Sequence, residues 1–329
     1  MVELSKLSLT AHCSLTAHCS PVDPTRPNGV YLAMRSLALL LALLVAAAPL
    51  PAQRPLLLFV HGRGHLDRDS ARVRVEWERS LRLGARELET GPLFDDADVR
   101  LVWYADVLDP RSDEGCRRPE DARAAEGRGD DDSLWGAARL LLGVVAEAAD
   151  EKQVRTELRG FVGDLAYLAD PWKRCGVERR LASALADAAA QHRPVVLVTH
   201  SLGAVVAYRY LRAHAQLPPL QRWVTLGAPL GDPGLRSLLL GDADAGLRIP
   251  AAVRSWVNVV REGDPFAAAV APLVPGAGNR VSDLLRTGTT GDPHDLASYL
   301  KDDQTARAIV SAWCEAFGRG APRGCEKTR

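Results

Sequence analysis

Apolar positions along the chain fall into short runs separated by longer segments in which apolar residues recur at helical spacing. Residues 55–60 (Pro-Leu-Leu-Leu-Phe-Val) and 195–198 (Val-Val-Leu-Val) are continuous apolar stretches of the kind that form strands buried on both faces. Runs at 99–106, 221–229 and 253–260, and a weaker one at 279–287, predict four more strands. Residues 72–88 scatter Val73, Val75, Trp77, Leu81, Leu83 and Leu88 among charges and predict a helix. Residues 202–211, rich in Ala, Val and Leu, predict a buried helix, and 303–317 a long closing one. Strands alternating with helix-length segments imply an α/β fold, a mostly parallel sheet with helices on both faces.

The stretch 194–208 passes from strand to helix within a few residues: Thr199, His200, Ser201, Leu202, Gly203. So sharp a turn needs small residues where strand and helix backbones approach, and it holds a serine exposed at its tip. Ser201 sits there, in Thr-x-Ser-x-Gly rather than Gly-x-Ser-x-Gly, with Gly203 and Ala204 small on the far side. The same pattern suits a strand–turn–helix in which the Ser201 hydroxyl only caps the helix.

Residues 109–175 are too long for a simple crossover. A charge-dense loop at 111–132 is followed by helical patterns at 134–151 and 158–168, the second placing Leu158, Phe161, Val162, Leu165 and Leu168 on one face. An insertion after the C-terminal end of a strand lies on the ligand side of an open α/β sheet, so a cap-like role is expected. Asp130, Asp131 and Asp132 are read as a solvated loop rather than a calcium site.

Composition sets the compartment. Met34 and Arg35 precede an apolar run of twelve, 37–48, that ends in small residues near Ala48 and Ala52. This pattern describes a secretory signal peptide at 34–52, too short for a membrane span. Upstream, residues 8–13 repeat as 14–19 in an exact tandem, which suggests that translation begins at Met34 and that 1–33 is not domain material. The remaining 53–329 suit one large domain. Its cysteines are Cys116, Cys175, Cys314 and Cys325, an even set behind a signal peptide. Two disulfides in a secreted or periplasmic protein are expected, with Cys116–Cys175 and Cys314–Cys325 the preferred pairing. Lys plus Arg and Asp plus Glu both total 41 with no long basic run, which argues against nucleic acid as a partner.

A serine hydroxyl needs a base, usually a histidine oriented by a carboxylate, and behind such a turn the chain order is Ser, Asp or Glu, His. His61, His65, His192 and His200 precede Ser201, and His214 lies at the far end of the following helix, which leaves His294 in a Gly/Pro loop. Two carboxylates fit the orienting role: Asp264, in a Gly-Asp-Pro turn after the fifth strand, and Asp232, in the equivalent turn after the fourth. Backbone N–H groups for an oxyanion are expected from Leu202 and from Gly62 or Arg63. His61 and His65 could suggest a metal pair, but no third ligand sits nearby in helical register, so no metal is expected.

His61-Gly62 after a strand, Thr199 to Gly203 at the turn, Gly263-Asp264-Pro265 and the late His294 together resemble the α/β-hydrolase superfamily, and within it lipase- and esterase-like serine hydrolases. The resemblance covers about 55–317, with the insertion unmatched. It implies an α/β-hydrolase fold, a triad of Ser201, Asp264 and His294, no cofactor and no metal. The expected activity is hydrolysis of a small-molecule or lipid ester through an acyl-enzyme. An acyltransferase would use the same triad, and a noncatalytic binding protein could be built on the same fold.

Overall fold

The structure, a computed structural model, describes residues 54–62, 65, 68–88, 94–109, 112, 115–116, 167–168, 170–240, 246–287, 291–317 and 321–328. The expected signal peptide and upstream tail, Arg63, the 130–132 loop and nearly all of the two helical patterns of the insertion lie outside these residues.

Strands β1 (Leu56–Val60), β2 (Val99–Val102), β3 (Val195–His200), β4 (Leu220–Leu226), β5 (Trp256–Arg261) and β6 (Val281–Arg286) form one sheet in the order β2-β1-β3-β4-β5-β6. Every pairing is parallel. The two continuous apolar runs occupy central positions, Leu56 opposite Val195 and Val60 opposite Thr199, and every residue of both is buried. A strand covered on both faces has no solvent side to carry polar residues, which is why these runs do not alternate.

Helices α1 (Ser70–Gly84), α2 (Ala105–Leu108), α3 (Pro171–Ala190), α4 (Leu202–Ala213), α5 (Pro233–Leu240), α6 (Leu296–Lys301) and α7 (Asp303–Ala316) complete the fold. Leu57, Phe59, Val196 and Val198 pack on α1, α6 and α7, while Leu56, Leu58, Val195 and Leu197 pack on α3 and α4. Five helices start on an aspartate whose side chain accepts from first-turn N–H groups: Asp69, Asp170, Asp232, Asp295 and Asp302. Pro171 at the first turn of α3 adds a preset φ where no N–H is needed.

Two strands differ in extent from the sequence pattern. The run at 99–106 leaves the sheet after Val102, because the Tyr104 N–H is taken by the His61 ring, and α2 begins at Ala105. The run at 253–260 pairs continuously only from Trp256; Val253 makes an isolated bridge to Leu220. Among the described residues no helix is long and apolar enough to cross a membrane.

At the N-terminal edge of the sheet, buried Asp98 gathers three segments. Arg54 Nε donates to it at 2.9 Å, Arg193 Nη2 at 3.0 Å and the Asp95 N–H at 2.9 Å. Arg193 also donates to the carbonyls of Arg54, Pro55 and Ala97, so the entries to β1, β2 and β3 share one charged knot. Asp98→Ala leaves the largely buried Arg193 without its carboxylate. Its unfolding free energy in urea is expected to fall by about 3 kcal/mol, with the site at the other end of the strands unchanged.

Candidate active site

The order of strands reverses direction between β1 and β3, and in open α/β sheets ligands bind beyond the C-terminal ends of the strands at such a point. Ser201 stands there, between β3 and α4, with φ 50° and ψ −124°. A non-glycine residue in this region is held by its surroundings. The Ser201 N–H donates to the Leu226 carbonyl at 3.0 Å, and its own carbonyl accepts from Ala204 at 2.9 Å. Its side chain makes no capping bond to α4, which distinguishes it from the five capping aspartates.

Space around the turn is set by glycine. A Cβ at Gly203 would meet the Val60 and His61 carbonyl oxygens at 2.6 and 2.5 Å, and one at Gly62 would meet Ser201 Cβ at 2.8 Å. Thr199, in place of a smaller residue, is fully buried and accepts a hydrogen bond from Trp223 Nε1 at 2.9 Å. It is one of a row across the sheet, Thr199, Thr225, Asn258 and Asp283, each opposite the next. Thr225 Oγ1 accepts from Trp256 Nε1 at 3.0 Å and donates to Asn258 Oδ1 at 2.7 Å; Asn258 Nδ2 donates to Asp283 Oδ1 at 2.7 Å.

His294 and Asp264 converge on the serine. His294 Nε2 lies 3.0 Å from Ser201 Oγ, and His294 Nδ1 lies 2.9 and 3.0 Å from the two Asp264 oxygens. A carboxylate accepts and does not donate, so Nδ1 carries the proton and the Nε2 lone pair faces the hydroxyl. The His294 loop is fixed from three sides: His200 Nε2 donates to the His294 carbonyl at 2.8 Å, Arg261 Nη1 to the Pro293 carbonyl at 3.3 Å, and the His294 N–H to Asp292 at 2.9 Å. Burial opposes ionisation of Asp264. The hydrogen bond and charge of His294, the Tyr299 hydroxyl at 2.6 Å and the Phe266 N–H at 2.9 Å outweigh it and hold the carboxyl below its ordinary value. Gly227, at φ 55°, lies directly against the pair: a Cβ there would meet Asp264 Oδ2 at 2.8 Å and His294 Nδ1 at 3.1 Å.

No protein-family model and no curated protein matches this chain. The geometry therefore carries the functional reading alone. A hydroxyl facing an imidazole nitrogen, itself oriented by a buried carboxylate, can lose its proton to the imidazole as it attacks an electrophile.

The other expected residues fall as follows. Leu202 opens α4, where helical N–H groups have no intrahelical acceptor, and Gly62 packs against Ser201. Asp232 does not approach His294; its Oδ1 accepts from the Leu235 N–H at 2.8 Å at the start of α5. Cys116 pairs with Cys175 and Cys314 with Cys325, with Cα atoms 5.7 and 5.5 Å apart. His61 is engaged with the backbone through both ring nitrogens. Its Nδ1–H donates to the Gly62 carbonyl and its Nε2 accepts from the Tyr104 N–H at 3.0 Å, which defines a neutral ring. His65 lies edge-on to it, between Trp77 and Trp103. Among the described residues no group of three His, Cys, Asp or Glu side chains is placed to hold a metal ion. Sequence reasoning missed Gly227, Tyr299, Phe266 and the Asn258–Asp283 pair. A glycine directly after a strand, as in Leu226-Gly227, was the one available signal.

Burial, with His65 adjacent, takes His61 down to about 3, and burial with Arg68 nearby takes His65 down to about 4. Unfolded, both titrate at the ordinary 6.5. Above that value neither state is protonated and no linkage exists. Between about 6.5 and 4 only the unfolded chain gains protons, so stability falls with pH, by up to roughly 1.4 kcal/mol per unit for each histidine. Urea unfolding at pH 7.5 and 5.0 is expected to show this loss, and His61→Gln to remove about half of it.

Proposed function

We propose that this chain is a serine hydrolase of the α/β-hydrolase superfamily, lipase- or esterase-like, that cleaves carboxylic esters through an acyl-enzyme on Ser201. One observation carries the reading: Ser201 Oγ is 3.0 Å from His294 Nε2, while His294 Nδ1 is 2.9 Å from a carboxylate with no solvent exposure. Nothing in a helix cap or a packed core requires those three side chains in that order.

In the proposed reaction Ser201 Oγ attacks the ester carbonyl as its proton passes to His294 Nε2, and Asp264 stabilises the imidazolium without taking its proton. The tetrahedral oxyanion is received by the Leu202 N–H and by a second N–H from the turn at Gly62 and Arg63. Collapse expels the alcohol, protonated by His294, and leaves the acyl-serine. Water then repeats the sequence, with His294 again the base, to release the acid and restore the hydroxyl. The reading assigns the reaction no cofactor.

The insertion at 109–175 is proposed as a cap over this site. Support comes from its base, where the Cys116 N–H donates to the Trp172 carbonyl at 3.2 Å and Lys173 Nζ to the Asp109 carbonyl at 3.2 Å. The two ends of the segment are thus pinned together at the start of α3. Two paired cysteine sets are compatible with an oxidising compartment, and a secreted or periplasmic location is proposed on that ground.

A fluorophosphonate probe is expected to add once to the oxidised protein, read by intact mass, and not at all to Ser201→Ala. Turnover of a test ester is expected to fall by about 10⁴ to 10⁶-fold in Ser201→Ala and His294→Ala. A Ser201→Ala protein that keeps its turnover would end the assignment. Gly227→Ala, which places a methyl against both Asp264 and His294, is expected to lower kcat by roughly 10²-fold, checked with the same ester.

A further inference from the structure

The Asp264–His294 contact is not held by those two residues alone. Each Asp264 oxygen shares the His294 Nδ1–H and receives one further donor: the Phe266 N–H on Oδ1 and the Tyr299 hydroxyl on Oδ2, at 2.6 Å. Tyr299 is fully buried on α6, whose N-cap Asp295 directly follows His294. One short segment therefore reaches the same carboxylate twice, through an imidazole N–H and through a phenol five residues on. Beneath the ring, the Arg261 guanidinium lies 5.1 Å from the ring centroid. Arg261 is itself buried, its Nε has no hydrogen-bond partner, and its Nη1 holds the Pro293 carbonyl next to His294. A cation against the face of a phenol favours a partial negative charge on its oxygen and strengthens donation by its hydroxyl.

We propose that Tyr299, supported by Arg261, is a positioning residue that locks the Asp264 carboxylate and the His294 loop into one register, so that His294 Nε2 faces Ser201. This role rests on the hydrolase reading for its consequence but not for its geometry. Without the phenol hydroxyl, Asp264 Oδ2 keeps only the shared His294 Nδ1–H, and the carboxylate plane can turn about the Phe266 N–H on Oδ1; with the hydroxyl, that rotation is prevented and the imidazole is held in line with Ser201. Misplacing a base by about 1 Å costs on the order of 10²-fold in rate.

The test is Tyr299→Phe, which keeps the ring on Arg261 and removes only the hydroxyl. Its thermal midpoint is expected within about 4 °C of the parent. The fluorophosphonate inactivation rate and the kcat for a test ester should fall roughly tenfold or more, with KM within about twofold. The downfield proton resonance of the His294 Nδ1–H should broaden or disappear in the variant. Site-specific 3-fluorotyrosine at position 299, which retains the hydroxyl, should restore both signals and serves if the phenylalanine variant does not fold. A phenylalanine variant that keeps the parent's rate and resonance overturns the role of Tyr299 and leaves the hydrolase reading intact. A parent that never reacts, but whose resonance is lost on removing the hydroxyl, ends the hydrolase reading and leaves the positioning role standing. An unreactive parent with an unchanged resonance in the variant ends both.

Discussion

Backbone approaches too close for any Cβ define the centre of this molecule. Position 203 lies against the carbonyls that end β1, position 62 against the serine, and position 227 against the Asp264–His294 pair. These three sites follow β3, β1 and β4, the neighbouring strands at the heart of the sheet. Parallel pairing brings their C-terminal ends to one edge, and glycine lets three chain exits crowd into a space where side chains would hold them apart. The positive φ at Ser201 belongs to the same constraint. The serine N–H is held by the end of β4 while α4 must begin immediately against β1, so the residue between has little conformational choice.

Crowding of this kind demands that the polar groups beneath it be paired, because an unmet donor in the sheet interior costs about 1–3 kcal/mol. The row Thr199, Thr225, Asn258 and Asp283 meets that demand, with the two indole N–H groups of Trp223 and Trp256 absorbed by the two threonines. The indoles themselves stack with centroids 4.5 Å apart. The row continues into the loop after β5. Asn258 Nδ2 donates to the Ala268 carbonyl at 3.0 Å, and Asp283 accepts from the Val270 and Ala271 N–H groups at 2.9 Å each. Asp264 begins that loop. Thr199 stands in register beside this chain, opposite Thr225, and alanine or glycine there would leave Trp223 Nε1 without its acceptor.

What the sequence made legible follows from the range of each interaction. Continuous apolar runs announce strands buried on both faces, so the sheet and its parallel sense could be read directly. His294 could be reached by chain order alone, since every other histidine was excluded by position. Asp264 and Asp232 could not be separated that way. Both stand in Gly-Asp-Pro turns after strands, and the difference lies in what each meets: Asp232 turns back onto its own helix, while Asp264 meets a loop 30 residues later. Tyr299 and the Asp98 knot were invisible for the same reason, and Gly227 showed only as a glycine directly after a strand. Tyr299 reads as an ordinary apolar position of α6 until the sheet places Asp264 opposite it, and Asp98 joins Arg54 and Arg193 across separations of 44 and 95 residues.

Charge is divided between the two ends of the strands in a way that suits a reactive centre. At the N-terminal edge, Asp98 is saturated by two guanidiniums and a backbone N–H, which spends its acceptor capacity on holding strands together. At the C-terminal edge, Asp264 has its remaining valence directed at one mobile proton, that of His294. His61, at the end of β1 and stacked on Tyr104, is kept neutral by burial and by being fully engaged, as donor to Gly62 and acceptor from Tyr104. It therefore adds no positive charge at the end of β1. Around the turn, His61 and His200 are committed to backbone groups through their rings, and among the described histidines His294 presents a ring nitrogen to the serine. The rings of His61 and His200 thus hold the loops around the one imidazole that faces Ser201.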